Sequence, residues 1–532
     1  MRRALLAVTA VAALAGPAAA QDPWGGAWTP LAPVADIPRS LLTPPSPAAL
    51  LVRLPPAIGL FWTDGNPAAL PFEVGDAFSV YDVGYEDQSG DYRRPLDPGS
   101  VGTFGARASG WGPLGGRGGV TGRAVLWDET REPDALSHQV RPYGSSPLIA
   151  SDSSTPAVDR VRVRLEGAGG WRTGPWGFGA ALGYDAVDNR TQATRLPRIG
   201  RQTTASASLG AVHAFGSGAW RVGLSWRYQQ SNETFQVTAR GGTTGTAFLL
   251  IGFSEPLRQP IVSIQPFIRR FEREASAWSP AVAGTLFGAT WTAALARERV
   301  RDEQRASAVN PDVGTDQWVA DGWAWTVAAQ RPFRAFGWTA LASAGARGRS
   351  LEGDATIATI DGIILTQRET DLAIDAELRA ASPDTAWQLA LGFVTRGITR
   401  DWADYLAELS ADIETWTPGV SVEVARRVGR PTDLALGFAW AGHYASARLP
   451  NPALRGPAYQ QLIAPELSLE ATQAAAVAWH GTLRYRLAPA SALWIRLRYA
   501  DVRPRGDSLP LGPAADARRK TVTFQLGLTA GM

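Results

Sequence analysis

Residues Arg160–Leu165 read RVRVRL. In an extended chain Val161, Val163 and Leu165 fall on one side and Arg160, Arg162 and Arg164 on the other, the period of two that marks a strand between unlike environments. ALWIRLRYA at Ala492–Ala500 repeats the alternation, with Leu493, Ile495, Leu497 and Tyr499 opposing Trp494, Arg496 and Arg498. KTVTFQLGL at Lys520–Leu528 sets Val522, Phe524, Leu526 and Leu528 against Thr521, Thr523 and Gln525.

Segments of this kind recur at 77–86, 101–112, 117–129, 157–170, 174–187, 202–215, 219–231, 265–286, 289–301, 319–330, 336–349, 367–380, 385–399, 409–427, 431–446, 471–487, 491–503 and 519–531. That is about 18 strands, with about 16 as the alternative count. Short connections, such as PLGG at Pro113–Gly116, WRT at Trp171–Thr173, SPDT at Ser382–Thr385 and APA at Ala488–Ala490, alternate with long ones. The long ones fall near 87–100, 130–156, 188–201, 232–264, 302–318, 350–366, 400–408, 447–470 and 504–518. Sorting loops by length in step with the strands is expected of an antiparallel up-and-down transmembrane β-barrel, with short periplasmic turns and long external loops. A soluble β-sandwich has no reason to sort them. The expected class is therefore all-β, and an even strand count puts both termini on the short-turn side.

The N-terminus fits export. Arg2 and Arg3 precede an apolar run from Ala4 to Ala15, and Ala18-Ala19-Ala20 is a small-residue cleavage site, so 1–20 reads as a signal peptide. Residues 21–76 are a Pro-rich arm that can be a periplasmic tether, a strap on the barrel or a small lumenal plug, the extended arm with local packing being preferred; 77–532 is the barrel. No apolar run after the signal approaches the length of a transmembrane helix, so any spanning is done by strands. The chain has no cysteine, which excludes a lipid-attachment Cys, disulfides and thiolate metal sites. Net charge is only +3, with Lys520 the sole lysine, which is no nucleic-acid footprint.

With its signal, alternating hairpins and terminal strand, the chain resembles Gram-negative outer-membrane β-barrels, porin-like or of uncharacterised families, over 77–532. The resemblance implies the cell outer membrane, contact with its lipid and lipopolysaccharide, and insertion by the barrel-assembly machinery. Barrels of that kind end in Phe or Trp; this one ends in Met532, which keeps the apolar phase of Phe524, Leu526 and Leu528. A TonB-type receptor is disfavoured, because the arm is too short for that family's plug and the strand count falls below its 22.

Trp recurs near segment ends, at Trp111, Trp127, Trp171, Trp176, Trp220, Trp318, Trp338 and Trp387, and reads as interface girdles. On the opposite phase, Arg160, Arg162, Arg164, Arg221, Arg227, Arg484, Arg486, Arg496 and Arg498 face the lumen, with Glu166, Asp371, Asp375, Glu377 and Glu423 on comparable faces. Arg484, Arg486, Arg496 and Arg498 lie on adjacent strands and form one basic patch. Arginine rows suit an anion path, but the same residues also pair with acids into networks that stiffen a wall. FLLIGF at Phe248–Phe253 (Phe248, Leu249, Leu250, Ile251 and Phe253) is an apolar run inside a long loop. It is a candidate constriction folded inward, a partner contact, or a hairpin extended above the membrane.

Catalysis has little support. His138, His213, His443 and His480 include no pair at metal-ligand spacing, there is no GxSxG elbow, and GPLGGRGG precedes no helix. No catalytic residue, metal or cofactor is expected. The leading functional expectation is a passive or substrate-selective channel for small polar or anionic solutes, its oligomeric state open. A non-transporting surface scaffold or secretion-complex partner is the alternative, and an outer-membrane hydrolase a distant third.

Overall fold

The computed structural model describes residues 59–73, 77–132, 147–152, 157–191, 198–216, 219–239, 245–251, 257–261, 266–306, 315–358, 362–429, 431–450, 459–488, 491–505 and 512–531. The expected signal peptide (1–20) and the part of the expected arm before residue 59 lie outside these residues, as do Phe253 and Met532.

Eighteen antiparallel strands form one closed sheet. They are β1 (Phe78–Gly90), β2 (Ser100–Leu114), β3 (Gly118–Glu132), β5 (Val158–Thr173), β6 (Trp176–Thr191), β7 (Arg198–Phe215), β8 (Trp220–Val237), β11 (Phe267–Leu286), β12 (Ala289–Ala306) and β13 (Asp316–Ala335). The ring continues through β14 (Trp338–Ile357), β15 (Gly362–Ala381), β16 (Trp387–Asp404), β17 (Leu409–Arg427), β18 (Thr432–Arg448), β19 (Ala474–Ala488), β20 (Ser491–Pro504) and β21 (Arg519–Gly531). Neighbours in sequence are neighbours in space, and β21 closes on β1 from Phe78 opposite Gly531 to Gly90 opposite Arg519. Each strand contains or overlaps one of the segments expected from the alternation. The count is 18, not 16.

The alternation forms a barrel because its two faces meet different solvents. Outward residues remain exposed though apolar: Val161 and Leu165 on β5, Leu182 at 68 % on β6, and Leu493, Ile495, Leu497 and Tyr499 on β20. Water would not tolerate so continuous an apolar surface on a monomer, whereas lipid does. Trp171, Trp176, Phe215, Phe333, Trp387 and Tyr485 ring the short-turn end, and Tyr184, Trp278, Trp323, Trp416 and Trp479 lie further along the outer wall. No strand edge is left unpaired in the ring, the condition for crossing hydrocarbon with strands. The chain is an integral β-barrel of the Gram-negative outer membrane. Three of the tryptophans expected in girdles face inward: Trp318 is fully buried beneath a folded-in loop, Trp127 lines a lumenal cavity, and Trp111 stacks against the buried Phe78 at 4.7 Å.

Two short turns share a two-residue form, Phe287-Gly288 with φ of 52° and 75°, and Phe336-Gly337 with φ of 52° and 81°. Positive φ at both central positions matches the twist of the flanking strands.

Candidate functional site

Among the described residues, three elements enter the barrel. At the short-turn end sit α1 (Leu60–Asp64), a 3-10 turn (Pro67–Ala69) and α2 (Leu70–Glu73). Gly65, at φ 74°, ends α1 by donating to Phe61 O, and Asn66 Oδ1 accepts from Ala68 N at 3.1 Å to cap the next turn, whose first residue is Pro67. The segment packs on β3, β5–β8 and β11–β13. Leu60, Phe61, Ala68, Ala69 and Leu70 are fully buried against Ala168, Ala181, Val212, Ala281 and Ala283 of the inner wall.

Its acids are satisfied from both sides. Asp64 accepts from Arg227 at 3.0 Å, Ser225 at 3.3 Å and Ser279 at 2.5 Å. Burial pushes this carboxyl up, opposed by Arg227. Glu73 accepts from the Leu60 and Phe61 amides at 2.7 and 3.0 Å and from Arg221 at 3.0 Å. The wall is shaped for the segment. A Cβ on Gly119 would lie 2.8 Å from the Leu70 carbonyl, and one on Gly223 2.8 Å from Asn66 Nδ2. Cβ atoms on Gly170, Gly177, Gly179 and Gly210 would collide with Pro67, Ala68 or Asn66 in the same way. Six glycines on β3, β5, β6, β7 and β8 thus form its cradle.

At the long-loop end, β4 (Leu148–Asp152), β9 (Gly245–Ile251) and β10 (Leu257–Ile261) make a three-stranded sheet with β9 central. The structure puts Phe248, Leu249, Leu250 and Ile251 on β9. The sheet packs inward: Leu148 and Leu249 join Ala275, Val300, Trp318, Ala320 and Leu351 in one core, and Ala150, Ala247 and Ile261 join Phe235, Val237 and Phe267 in another. Asp152 anchors β4 to Arg198 at 2.8 Å.

The third element is α3 (Ala464–Ala471), between β18 and β19. Leu467 packs with Tyr459, Leu409 and Ile413, and Leu469 with Tyr92, Ala474 and Ala517. Glu470 meets Arg400, which also holds Glu369 at 2.7 Å, and lies 3.7 Å from Arg94. Glu466 lies 3.4 Å from Arg94 with its side chain 22 % exposed. Burial pushes the Glu466 carboxyl up to about 8, Arg94 and Arg400 opposing the rise while Glu470 and Asp97 add to it. The seated helix therefore binds this proton more tightly than a released one, whose carboxyl titrates near 4.5. Seating by this group is complete below about 4.5 and is lost as pH rises toward about 8. Proteolysis within 449–473 should become faster from pH 5 to pH 8, and Glu466→Gln should flatten the profile; a flat profile in the unaltered chain contradicts the assignment.

At the short-turn end, residues 59–73 contact β3, β5–β8 and β11–β13 and leave the face from β16 through β21 to β2 the less covered side of the lumen, while α3 lies over β16–β18 at the long-loop end. Arg484, Arg486, Arg496 and Arg498 project from β19 and β20, with Arg496 donating to Thr482 at 3.1 Å. Asp433 on β18 is shared by Arg486 at 2.9 Å and by Arg427 and Arg484, each at 3.8 Å. Arg484 is buried, and its Nε and Nη1 find no hydrogen-bond partner among the described residues. Across β21, Gln525 and Thr523 stand opposite Arg496 and Arg498 and border a cavity of about 450 Å³. Asp82, Glu86, Arg107, Arg123, Trp127 and Arg162 help to line it. Here most arginines have acids or amides beside them: Arg107 donates to Asp82, Arg160 to Asn189 and Arg162 to Asp185, each at 2.7 Å. Arg164 is likewise spent on Glu166, at 2.6 Å. The arginines on β5 thus have acids or amides of their own, whereas Arg427, Arg484 and Arg486 share Asp433.

Among the described residues, the lumenal His443 and His480 are engaged. His443 Nδ1 meets Thr417 and Nε2 the Glu470 carbonyl, each at 3.0 Å, and His480 Nε2 lies 2.6 Å from Glu423. Among the described residues no group of three or more His, Asp or Glu is placed to hold a metal.

No curated protein matches the chain. Solved structures similar to it include the siderophore receptor PiuA from Acinetobacter baumannii, at 9 % identity and TM-score 0.37, covering 86 % of this chain and 82 % of that one. The ferric citrate transporter FecA is similar at 10 % identity and TM-score 0.40, with 86 % and 79 % covered. The copper transporter OprC is similar at 10 % identity and TM-score 0.41, with 86 % and 81 % covered. The model of one family, described as a family of unknown function (DUF6850), matches residues 67–530, from the 3-10 turn in the barrel mouth to the closing strand, and the chain belongs to that family.

Proposed function

We propose that this barrel is a channel for small polar solutes with a preference for anions, inserted by the barrel-assembly machinery. The observation that carries the reading is the cluster on β17–β19, where Arg427, Arg484 and Arg486 share the carboxylate of Asp433 and, among the described residues, two donor nitrogens of Arg484 have no hydrogen-bond partner. A buried guanidinium left short of acceptors favours any small anion that reaches it, because the anion restores the missing charge-assisted hydrogen bonds. An 18-stranded ring is wide enough for an aqueous path unless filled, and rings of arginine bias such a path toward anions. The inward sheet with Phe248, Leu249, Leu250 and Ile251 on β9 is the constriction at the long-loop end.

The test is a reversal potential across a planar bilayer under a potassium chloride gradient. Replacing Arg484, Arg486, Arg496 and Arg498 with Gln should lower the chloride-to-potassium permeability ratio by about twofold or more. An unchanged ratio in a conducting variant contradicts the role given to these arginines.

A further inference from the structure

The cradled segment and the basic cluster occupy the same end of the barrel on opposite sides of the ring. Residues 59–73 rest on β3, β5–β8 and β11–β13. Arg427, Arg484, Arg486 and Asp433 belong to β17, β18 and β19 and flank the short turns at 428–431 and 489–490. We propose that residues 59–73 are a selectivity-determining wall: by filling one half of the short-turn mouth they confine solutes to the other half, within reach of the arginines. This inference rests on the channel reading above and adds a specific element to it.

Screening supplies the physical reason. Charge on a wall acts over about 10 Å at 0.1 M salt and about 3 Å at 1 M. In an unfilled barrel of this size, ions on the far side would pass the cluster largely unaffected, and its preference would be averaged away. A filler on that far side removes the indifferent part of the cross-section and leaves the part the arginines control.

The filler is built to stay. Its backbone lies where six wall glycines leave room, so the fit comes from both partners. Glu73 reaches back to the Leu60 and Phe61 amides and closes the segment on itself, while its bond to Arg221 and that of Asp64 to Arg227 fix it to β8. Each carboxylate carries one arginine, so the segment's own acids are close to neutralised where it is seated.

The experiment replaces residues 60–72 with Gly and Ser residues of equal number, leaving the wall untouched, and compares the purified full-length barrels in planar bilayers at 0.1 M potassium chloride. A second variant, Gly179→Leu with Gly210→Leu, evicts the segment from the wall side; heat-modifiable migration on gels reports that each barrel is folded. The expected result in both is a conductance higher by about twofold or more, with a chloride-to-potassium ratio falling toward one. Equal conductance and equal ratio in all three proteins overturns the wall while leaving the channel. Higher conductance at an unchanged ratio also overturns it, since the segment would then narrow the path without selecting. Silence in every protein removes the channel reading and this inference together.

Discussion

Arg400→Leu is expected to release α3 from the long-loop mouth while the barrel stays closed. Arg400 is buried between Glu369 and Glu470, donating to the first at 2.7 Å and meeting the second directly. Its removal leaves two carboxylates facing each other with Arg94 at 3.7 Å from Glu470 as their remaining counter-ion. Breaking a buried pair from one side costs about 3–5 kcal/mol, because the abandoned charge is uncompensated. The strand hydrogen bonds of β16 do not depend on this side chain, so the cost falls on the seating of α3. Hydrogen exchange at the α3 amides should accelerate by about a hundredfold or more. Glu470→Gln added to Arg400→Leu should restore part of the protection, which a purely steric effect of the leucine would not permit.

Arg227→Leu should loosen the segment at the opposite mouth by a comparable amount. Asp64 would keep Ser225 and Ser279 but lose its cation. Its carboxyl is already pushed up by burial, so in the variant the seated form is favoured when Asp64 takes a proton. That escape caps the penalty at the cost of protonating a carboxyl of ordinary pKa 3.8, which at pH 7 and about 1.4 kcal/mol per unit is about 4.4 kcal/mol. The sign follows from linkage. A carboxyl with a raised pKa in the seated state contributes fully below its ordinary value of 3.8 and loses that contribution as pH rises through the seated value. Exchange protection of residues 60–72 in Arg227→Leu should therefore be recovered on acidification, whereas Arg227→Leu with Asp64→Leu should show no such recovery.

The wall of this protein was legible from residue order. RVRVRL and ALWIRLRYA announce their faces because a strand alternates with period two, and Arg160 and Arg496 do face inward while Leu165 and Leu497 face lipid. The lumen was less legible. Gly119, Gly170, Gly177, Gly179, Gly210 and Gly223 look like ordinary strand glycines; only closure of the ring brings them together, although all share the inward phase and lie near short turns. Asp64 and Glu73 sit in a Pro-rich stretch whose local pattern says nothing of the arginines more than a hundred residues away. Trp318 and Trp127 show the same limit: position near a strand end places a tryptophan at the interface, but a loop folded onto that end or a lumenal cavity can claim it instead. Side-chain phase was local information. Which arginines keep an excess of charge was not, since Arg162 finds Asp185 across a strand pair while Arg484 must share Asp433 with two others.

The lumen is expected to conduct, and the arginine charge gathered on Asp433 to act on what passes. The most direct measurement is the zero-current potential of the unaltered barrel in a planar bilayer separating 0.1 M from 1 M potassium chloride. Steady channels are expected, with a potential whose sign corresponds to chloride moving more readily than potassium and which grows when both solutions are diluted. Folded, inserted barrels that carry no current, or a potential of the opposite sign, would contradict it.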